Sequence, residues 1–266
     1  MGAIRDILRG TIPAEKLRKF SGRFDVIGDI AVVTIPSGLE EYEQMIGQAI
    51  LDHRHSIQTV IKKISRIAGD CRTATYDVVI GNGTETTHHE NGFSYQLDLK
   101  SSFFTPRLAH ERMRVTNQVQ AGESVLVLFA GIGPFVIPAA ARGARVVAIE
   151  QNPDACRRLV KNLQKNQVSE QVTVVQGDAF DPALLADEQF DRVIIPTPYG
   201  RDDIFDLAAT RVRHNGLLHF YTFKNMTQSK EWEQEFENRG CEVISRRRCG
   251  NVAPAVSRWV FDLRRC

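Results

Sequence analysis

The sequence predicts an α/β fold, a parallel doubly wound sheet preceded by a small α+β domain. Three observations carry this expectation. From about residue 124 onward, apolar β-prone runs alternate with helical stretches, the order expected of a parallel sheet covered by helices. The first of these units, VLVLFAGIGPFVIPAAARGARVVAIEQNP (125–153), reads as strand, glycine turn, helix, strand and acid. The first hundred residues carry short β-prone pieces broken by glycine and Asn-Gly turns instead. The boundary falls between residues 105 and 106, giving an α+β domain over 1–105 and an α/β domain over 106–266.

The elements follow in order. Residues 1–20 hold a short amphipathic helix and a second one that Pro13 opens, since proline suits the first helical turn. FDVIGDIAVVTIP (24–36) alternates and is β-branched, a hairpin turning near Gly28-Asp29. LEEYEQMIGQAILDHR (39–54) spaces its apolar residues by three and four, a helix. TVIKKIS (59–65), TATYDVVIG (73–81), TETTHHENG (84–92) and FSYQLDL (93–99) are strands, expected to form an antiparallel sheet. LAHERMRVTNQVQ (108–120) is a helix leading into the second domain. There, DACRRLVKNLQKNQV (154–168) is a helix and VTVVQGDAF (172–180) a strand with Asp178 near its end. FDRVIIPTPYG (190–200) is a strand and loop, GLLHFYTF (216–223) a strand and WEQEFENRG (232–240) a helix. CEVISRRR (241–248) and SRWVFDLRR (257–265) close the sheet as an antiparallel pair.

Composition narrows the class. Hydrophobic residues make up 42% and charged residues 25%, ordinary for a globular chain. No apolar run approaches the length of a membrane span, and MGAIRDILRG has neither a signal-peptide layout nor a myristoylation pattern, because residue 6 is Asp. Five cysteines are scattered without a CxxC pair, so neither a zinc site nor a disulfide framework is expected, and a cytoplasmic location fits. The net charge of +2 leaves nucleic-acid binding to local patches. Candidate patches are Lys62-Lys63 with Arg66, Arg107 with Arg112 and Arg114, Arg157-Arg158 with Lys161, and Arg246-Arg247-Arg248; each reads equally as a solvated face.

The glycine turn points to a nucleoside. Gly131 and Gly133 let the backbone bend sharply and approach a ligand. Glu150, 19 residues beyond Gly131, ends the next strand where a carboxylate takes the two hydroxyls of a ribose. A dinucleotide fingerprint would place a third glycine at Val136. FAGIG instead fits the S-adenosylmethionine loop of class I methyltransferases, whose cofactor has no phosphate to cradle. The alternative is a glycine turn in a Rossmann-like core that binds nothing.

FDVIGDIAVVTIP, HHENGFSYQLDL, FFTPRLAHERMRV, FAGIGPFVIPAAARGARVVAIEQNP, QGDAF, the Pro196-Thr197-Pro198 segment and VAPAVSRWVFDLR span nearly the whole chain. Together they resemble the archaeal and eukaryotic tRNA (guanine-N1)-methyltransferases, which modify the guanosine 3′ of the anticodon. FTPRLAHER followed by FAGIGPF is the most specific part. The wybutosine-pathway aminocarboxypropyl transferase shares the layout but usually lacks counterparts of Pro106-Arg107 and Pro134-Phe135, so these pairs favour methyl transfer. The resemblance implies a Rossmann-like class I methyltransferase domain after a small α+β domain that contacts RNA, with S-adenosylmethionine as cofactor and tRNA as partner. It implies no metal and no membrane, and leaves the oligomeric state open. It places cofactor contacts at Phe129, Ala130, Gly131, Gly133, Phe135, Glu150, Gln151, Asn152, Asp178, Ala179 and Pro196. Substrate contacts are expected at Phe104, Arg107, Arg112, Pro198 and Tyr199.

The chemistry asks for two further groups. N1 of guanine is protonated near neutral pH, so a base must remove its proton as the methyl arrives, and a partly buried carboxylate suits. The resemblance assigns this to Glu111, whose alternative is a surface helix carboxylate paired with Arg114 or Arg107. Charge then develops on O6, where a guanidinium stabilises it. Arg72 matches the family's arginine for that role; its alternative is a loop arginine on an RNA phosphate or in solvent. The sequence departs from the family at Val127, where an Asp is usual, and at Pro196, where the Asn of an Asn-Leu-Pro motif is usual. It also begins where the second domain of the full-length members would, after their N-terminal docking domain. Rival readings are aminocarboxypropyl transfer, methylation of a substrate other than tRNA, and a non-catalytic RNA-binding relative.

Overall fold

A computed structural model describes residues 3–64, 74–185 and 187–266, which leaves Arg66, Cys71 and Arg72 outside the described residues. The chain divides into two compact units, Met1–Pro106 and Arg107–Cys266.

The first unit opens with α1 (Ala3–Ile7) and α2 (Ala14–Leu17), the latter capped by Pro13. A four-stranded sheet has the order β1 (Phe24–Ile27), β2 (Ile30–Val33), β3 (Thr59–Lys63), β4 (Tyr76–Ile80). The expected β1–β2 hairpin is present, and Gly28 at its turn has φ 58° with no room for a Cβ beside Thr86. The expectation of an antiparallel sheet needs correction, because β2 and β3 pair in parallel. The cause is α3 (Glu43–His53), which lies between them in sequence and carries the chain back to the starting end of the sheet; only such a crossover can join parallel neighbours. Ile46, Ala49 and Ile50 of α3 share the core with Ile4, Leu17, Val33 and Val60. β5 (Glu85–Glu90) and β6 (Phe93–Asp98) form a separate hairpin.

The second unit begins with α4 (Ala109–Thr116), shorter than the sequence pattern suggested. Then come β7 (Ser124–Val127), α5 (Val136–Ala141), β8 (Arg145–Glu150), α6 (Pro153–Lys165), β9 (Val172–Gln176) and β10 (Phe190–Ile195). They are followed by α7 (Ile204–Thr210), β11 (Val212–Lys224), α8 (Met226–Asn238), β12 (Cys241–Ala253) and β13 (Val256–Arg265). α7 had no clear sequence signature. α8 starts six residues before Trp232, where Asn225 and Gln228 form a capping box that satisfies the first-turn amides.

The seven strands run β12-β13-β11-β10-β7-β8-β9. β7 to β11 pair in parallel, and β13 runs antiparallel to both β11 and β12. The expected parallel sheet with an antiparallel edge is therefore present. Strand order reverses at β7: β8 and β9 extend one way, β10 and β11 the other. A doubly wound sheet opens a crevice at such a reversal, outside the carboxyl ends of the strands. The glycine turn after β7 and the Pro196–Tyr199 loop after β10 both begin there. No helix among the described residues is long and apolar enough to cross a membrane.

Candidate cofactor and active site

The glycine turn is built from left-handed backbone. Phe129, Gly131 and Gly133 have φ of 51°, 57° and 96°. Gly133 has no room for a side chain, since a Cβ would stand 2.5 Å from Leu159 Cδ1. Gly131 differs: a Cβ there would meet nothing within 4 Å, so the turn leaves open space on its outer side. Asn162 of α6 pins the turn by donating to the Ile132 carbonyl at 3.1 Å.

Glu150 closes the turn from the neighbouring strand. Its Oε2 accepts the Gly131 amide at 2.7 Å and its Oε1 the Asn152 amide at 2.8 Å. Burial pushes the carboxyl above its ordinary range, against the pull of the Asn152 and Gly131 amides. Each oxygen keeps a lone pair, so the carboxylate can still accept two vicinal hydroxyls. Asn152 is 4% exposed and caps α6 through bonds from Asp154 and Ala155. Gln151 is exposed beside it. Asp178 is exposed and accepts the Phe180 amide at 3.0 Å, closing a turn rather than capping a helix, while Ala179 is buried. Gly131, Glu150 and the β9 end thus form a cradle suited to a nucleoside, with Ala130 and Phe135 buried behind the turn. Val127 is fully buried in β7.

The loop after β10 is stiff and tethered. Pro196 has no amide, Thr197 turns back to Ile195, and the Tyr199 ring lies 5.2 Å from Phe223. Tyr199 is 60% exposed, which leaves one ring edge for a ligand. Pro198 is half-buried beside it. Asp202 ties the following turn to β11 through Thr222 and Lys224. Arg201 lies over the Phe180 ring at 3.8 Å.

Glu111 stands on α4 and is only 7% exposed. It does pair with Arg114, Nε to Oε2 at 2.8 Å, but in a buried setting rather than on a surface helix. Oε1 faces the Arg247 guanidinium at 3.4 Å. The Arg114 fork continues to both oxygens of Asp262, at 2.5 and 3.1 Å. Asp262 meets His219 Nδ1 at 2.6 Å, and His219 Nε2 meets Arg192 at 2.6 Å. Because Arg192 can only donate, Nε2 is the acceptor and Nδ1 carries the proton. Glu123 holds Arg192 at 2.9 and 3.1 Å. Burial opposes ionisation of Asp262, yet His219 and Arg114 hold its carboxyl well below the usual range. Burial likewise lowers the His219 pKa despite the Asp262 carboxylate. Beside Glu111, burial and its charge push the Cys249 thiol up to about 12. The fully buried Tyr221 hydroxyl has no hydrogen-bond partner among the described residues, and its ring contacts Phe135 of the glycine turn at 5.6 Å.

Arg112 is 2% exposed, and Arg107 is exposed. Phe104 packs in the first unit against His88 and Tyr95, at 4.9 and 6.1 Å between ring centres. Sequence reasoning did not single out Asp262, His219 or Arg192.

The description "TRM5/TYW2 methyltransferase domain" matches residues 86–244, and "TYW2 N-terminal domain" matches residues 4–84. The chain belongs to the TRM5/TYW2 methyltransferase family. Among its TRM5/TYW2 relatives is the tRNA (guanine(37)-N(1))-methyltransferase Trm5b of Pyrococcus abyssi, 34% identical over 95% of this chain and 78% of that one. The crystal structure of that protein superposes with a TM-score of 0.86 over the same shares. The tRNA(Phe) (4-demethylwyosine(37)-C(7)) aminocarboxypropyltransferase of Pyrococcus horikoshii is 29% identical over 98% of this chain and 95% of its own. A second similar structure is a complex of aTrm5 with tRNALeu, at 27% identity, TM-score 0.89, and 99% and 78% coverage. The family's cofactor is S-adenosylmethionine, and the left-handed turn, the open side of Gly131 and the Glu150 carboxylate fit its nucleoside.

Proposed function

We propose that this chain is an S-adenosylmethionine-dependent tRNA methyltransferase that modifies N1 of the guanosine 3′ of the anticodon. The observation that carries the reading is Glu111, a buried carboxylate fixed in place by Arg114. Such a group suits the one proton transfer that methylation of guanine N1 requires. When bound, the cofactor supplies an electrophilic methyl group on a sulfonium. Glu150 holds the ribose hydroxyls, and the backbone near Asp178 and Ala179 borders the adenine. Pro196, Pro198 and Tyr199 border the target base, and Phe104, Arg107 and Arg112 contribute to substrate binding. Glu111 accepts the N1 proton, and Arg72 stabilises the charge that develops on O6. The similarity to Trm5b of Pyrococcus abyssi supports this assignment.

A second reading is transfer of the aminocarboxypropyl group of the same cofactor. It is favoured by the TYW2 N-terminal domain match over 4–84 and by the near-complete mutual coverage with the Pyrococcus horikoshii enzyme. The by-product separates the two readings. Incubation with total tRNA and cofactor should yield S-adenosylhomocysteine and 1-methylguanosine; methylthioadenosine would select the second reading. Within the first reading, Glu111→Gln should lower turnover by about 10²–10⁴-fold with cofactor affinity nearly unchanged. Alkaline pH should partly rescue it, because N1 then loses its proton unaided.

A further inference from the structure

Three adjacent strands each bring one residue to a shared buried polar series: Arg192 in β10, His219 in β11 and Asp262 in β13. All three are buried, at 2%, 1% and 5% exposure. Register places His219 opposite Asp262, so the two side chains share a sheet face. Buried charges are costly unless fully paired, and each here is paired to the next. The series begins at Glu123 and ends, through Arg114, on Glu111.

We propose that Arg114, anchored by Asp262 and His219, is the positioning residue that holds Glu111 turned for proton acceptance. This rests on the reading of Glu111 as the general base. A helical pair three residues apart is ordinarily weak and mobile. Arg114 is neither, because two of its nitrogens are committed to Asp262, 148 positions away. Its third nitrogen, Nε, is thereby aimed at Glu111 Oε2. A planar guanidinium can fix both partners at once, which a lysine ammonium cannot. Asp262 is itself held from other strands, by His219 on β11 and by Ser245 on β12 at 2.9 Å. Oε2 is therefore spoken for, and Oε1 is the oxygen available for a proton. Among the described residues it has a longer, 3.4 Å contact with Arg247, whose side chain is 48% exposed and can swing aside. The charged and titratable groups around Glu111 are Arg114 on α4, Arg247 and Cys249 on β12, Tyr221 on β11 and Asp262 on β13.

The double variant Arg114→Gln/Asp262→Asn removes the clamp without leaving either buried charge unpaired. It is compared with wild type, Glu111→Gln and Arg114→Lys in single-turnover methylation of tRNA across pH, with thermal melting and cofactor titration alongside. The double variant should lose about tenfold or more in turnover while KM for tRNA and cofactor affinity stay within about twofold. Arg114→Lys keeps the charge but not the fork, so it should lose turnover as well, again with KM and cofactor affinity held. It carries the same test if the double variant melts early. Wild-type turnover in the folded double variant, beside an inactive Glu111→Gln, would overturn the positioning role and leave the base in place. Near-wild-type turnover in Glu111→Gln would overturn the base reading, and the proposal with it.

Discussion

Replacing Glu150 is the sharpest probe of the nucleoside cradle. Its two oxygens accept the Gly131 and Asn152 amides at 2.7 and 2.8 Å, so the carboxylate holds the turn and has capacity left for a ribose. In Glu150→Ala the ribose loses a charge-assisted hydrogen bond, about 1.5–3 kcal/mol. That corresponds to a Kd for S-adenosylmethionine weaker by roughly 10- to 150-fold. Both amides also lose their acceptor, at about 1–3 kcal/mol each where water cannot reach them, so the melting temperature should fall as well. Isothermal titration with S-adenosylmethionine and S-adenosylhomocysteine, at temperatures where circular dichroism shows a folded variant, measures the first effect. Burial holds the Glu150 carboxyl above its ordinary range, so cofactor affinity should decline on acidification at a pH above the ~4.3 midpoint of a free glutamate. Glu150→Gln should abolish that decline. An unchanged Kd in folded Glu150→Ala would refute the assignment of the ribose site.

Four further outcomes are expected. Gly133→Ala must place a Cβ 2.5 Å from Leu159 Cδ1 at φ 96°, so overpacking of about 1–3 kcal/mol adds to a backbone strain of about 1–2 kcal/mol. Gly131→Ala meets open space and carries the strain alone, so denaturant titration should rank Gly133→Ala as the less stable; the reverse order would contradict the turn geometry. Asp262→Asn takes from Arg114 one of the two carboxylates it bridges and should cost about 3–5 kcal/mol in denaturant unfolding. Asp262 and His219 both have folded pKa values below their unfolded ones, so the unfolded chain binds more protons and stability rises with pH. On acidification the His219 contribution should fade below about pH 6.5 and that of Asp262 below about pH 5, and melting from pH 8 to 4 checks this. Tyr199→Ala should weaken tRNA binding by about 1–3 kcal/mol, the worth of one stacked base, with cofactor affinity unchanged. Equal tRNA affinity would remove Tyr199 from the base pocket.

The fold was legible where structure is local. Alternating β and helical runs from residue 124 predicted the parallel sheet, and the hairpin at Gly28-Asp29 followed from a turn flanked by β-branched residues. The parallel pairing of β2 and β3 was not read, although its cause was: the helix over 39–54 sits between them, and a crossover helix joins parallel neighbours. Treating the strands of the first unit as successive hairpins ignored the length of that connection. α7 escaped because its seven residues follow a proline-glycine loop and show too few turns for a periodicity.

The site divides along the same line. Glycines and the acid of the cradle are dictated by backbone geometry over about twenty residues, so their spacing is readable. The clamp on Glu111 joins residues 114, 192, 219 and 262, and no spacing rule links them. A signal was nonetheless present. FDRVII, LLHFY and WVFDL place Arg192, His219 and Asp262 among apolar strand residues, where desolvation is most costly. One such residue is an isolated cost. Three in strands that prove adjacent, with a cation, an imidazole and an anion among them, can satisfy one another. The apolar runs that made these segments recognisable as strands also identify their polar exceptions as partners. The arginine fork at Arg114 then meets Asp262 and Glu111 together, engaging Glu111 through Oε2 and leaving Oε1 to the longer Arg247 contact.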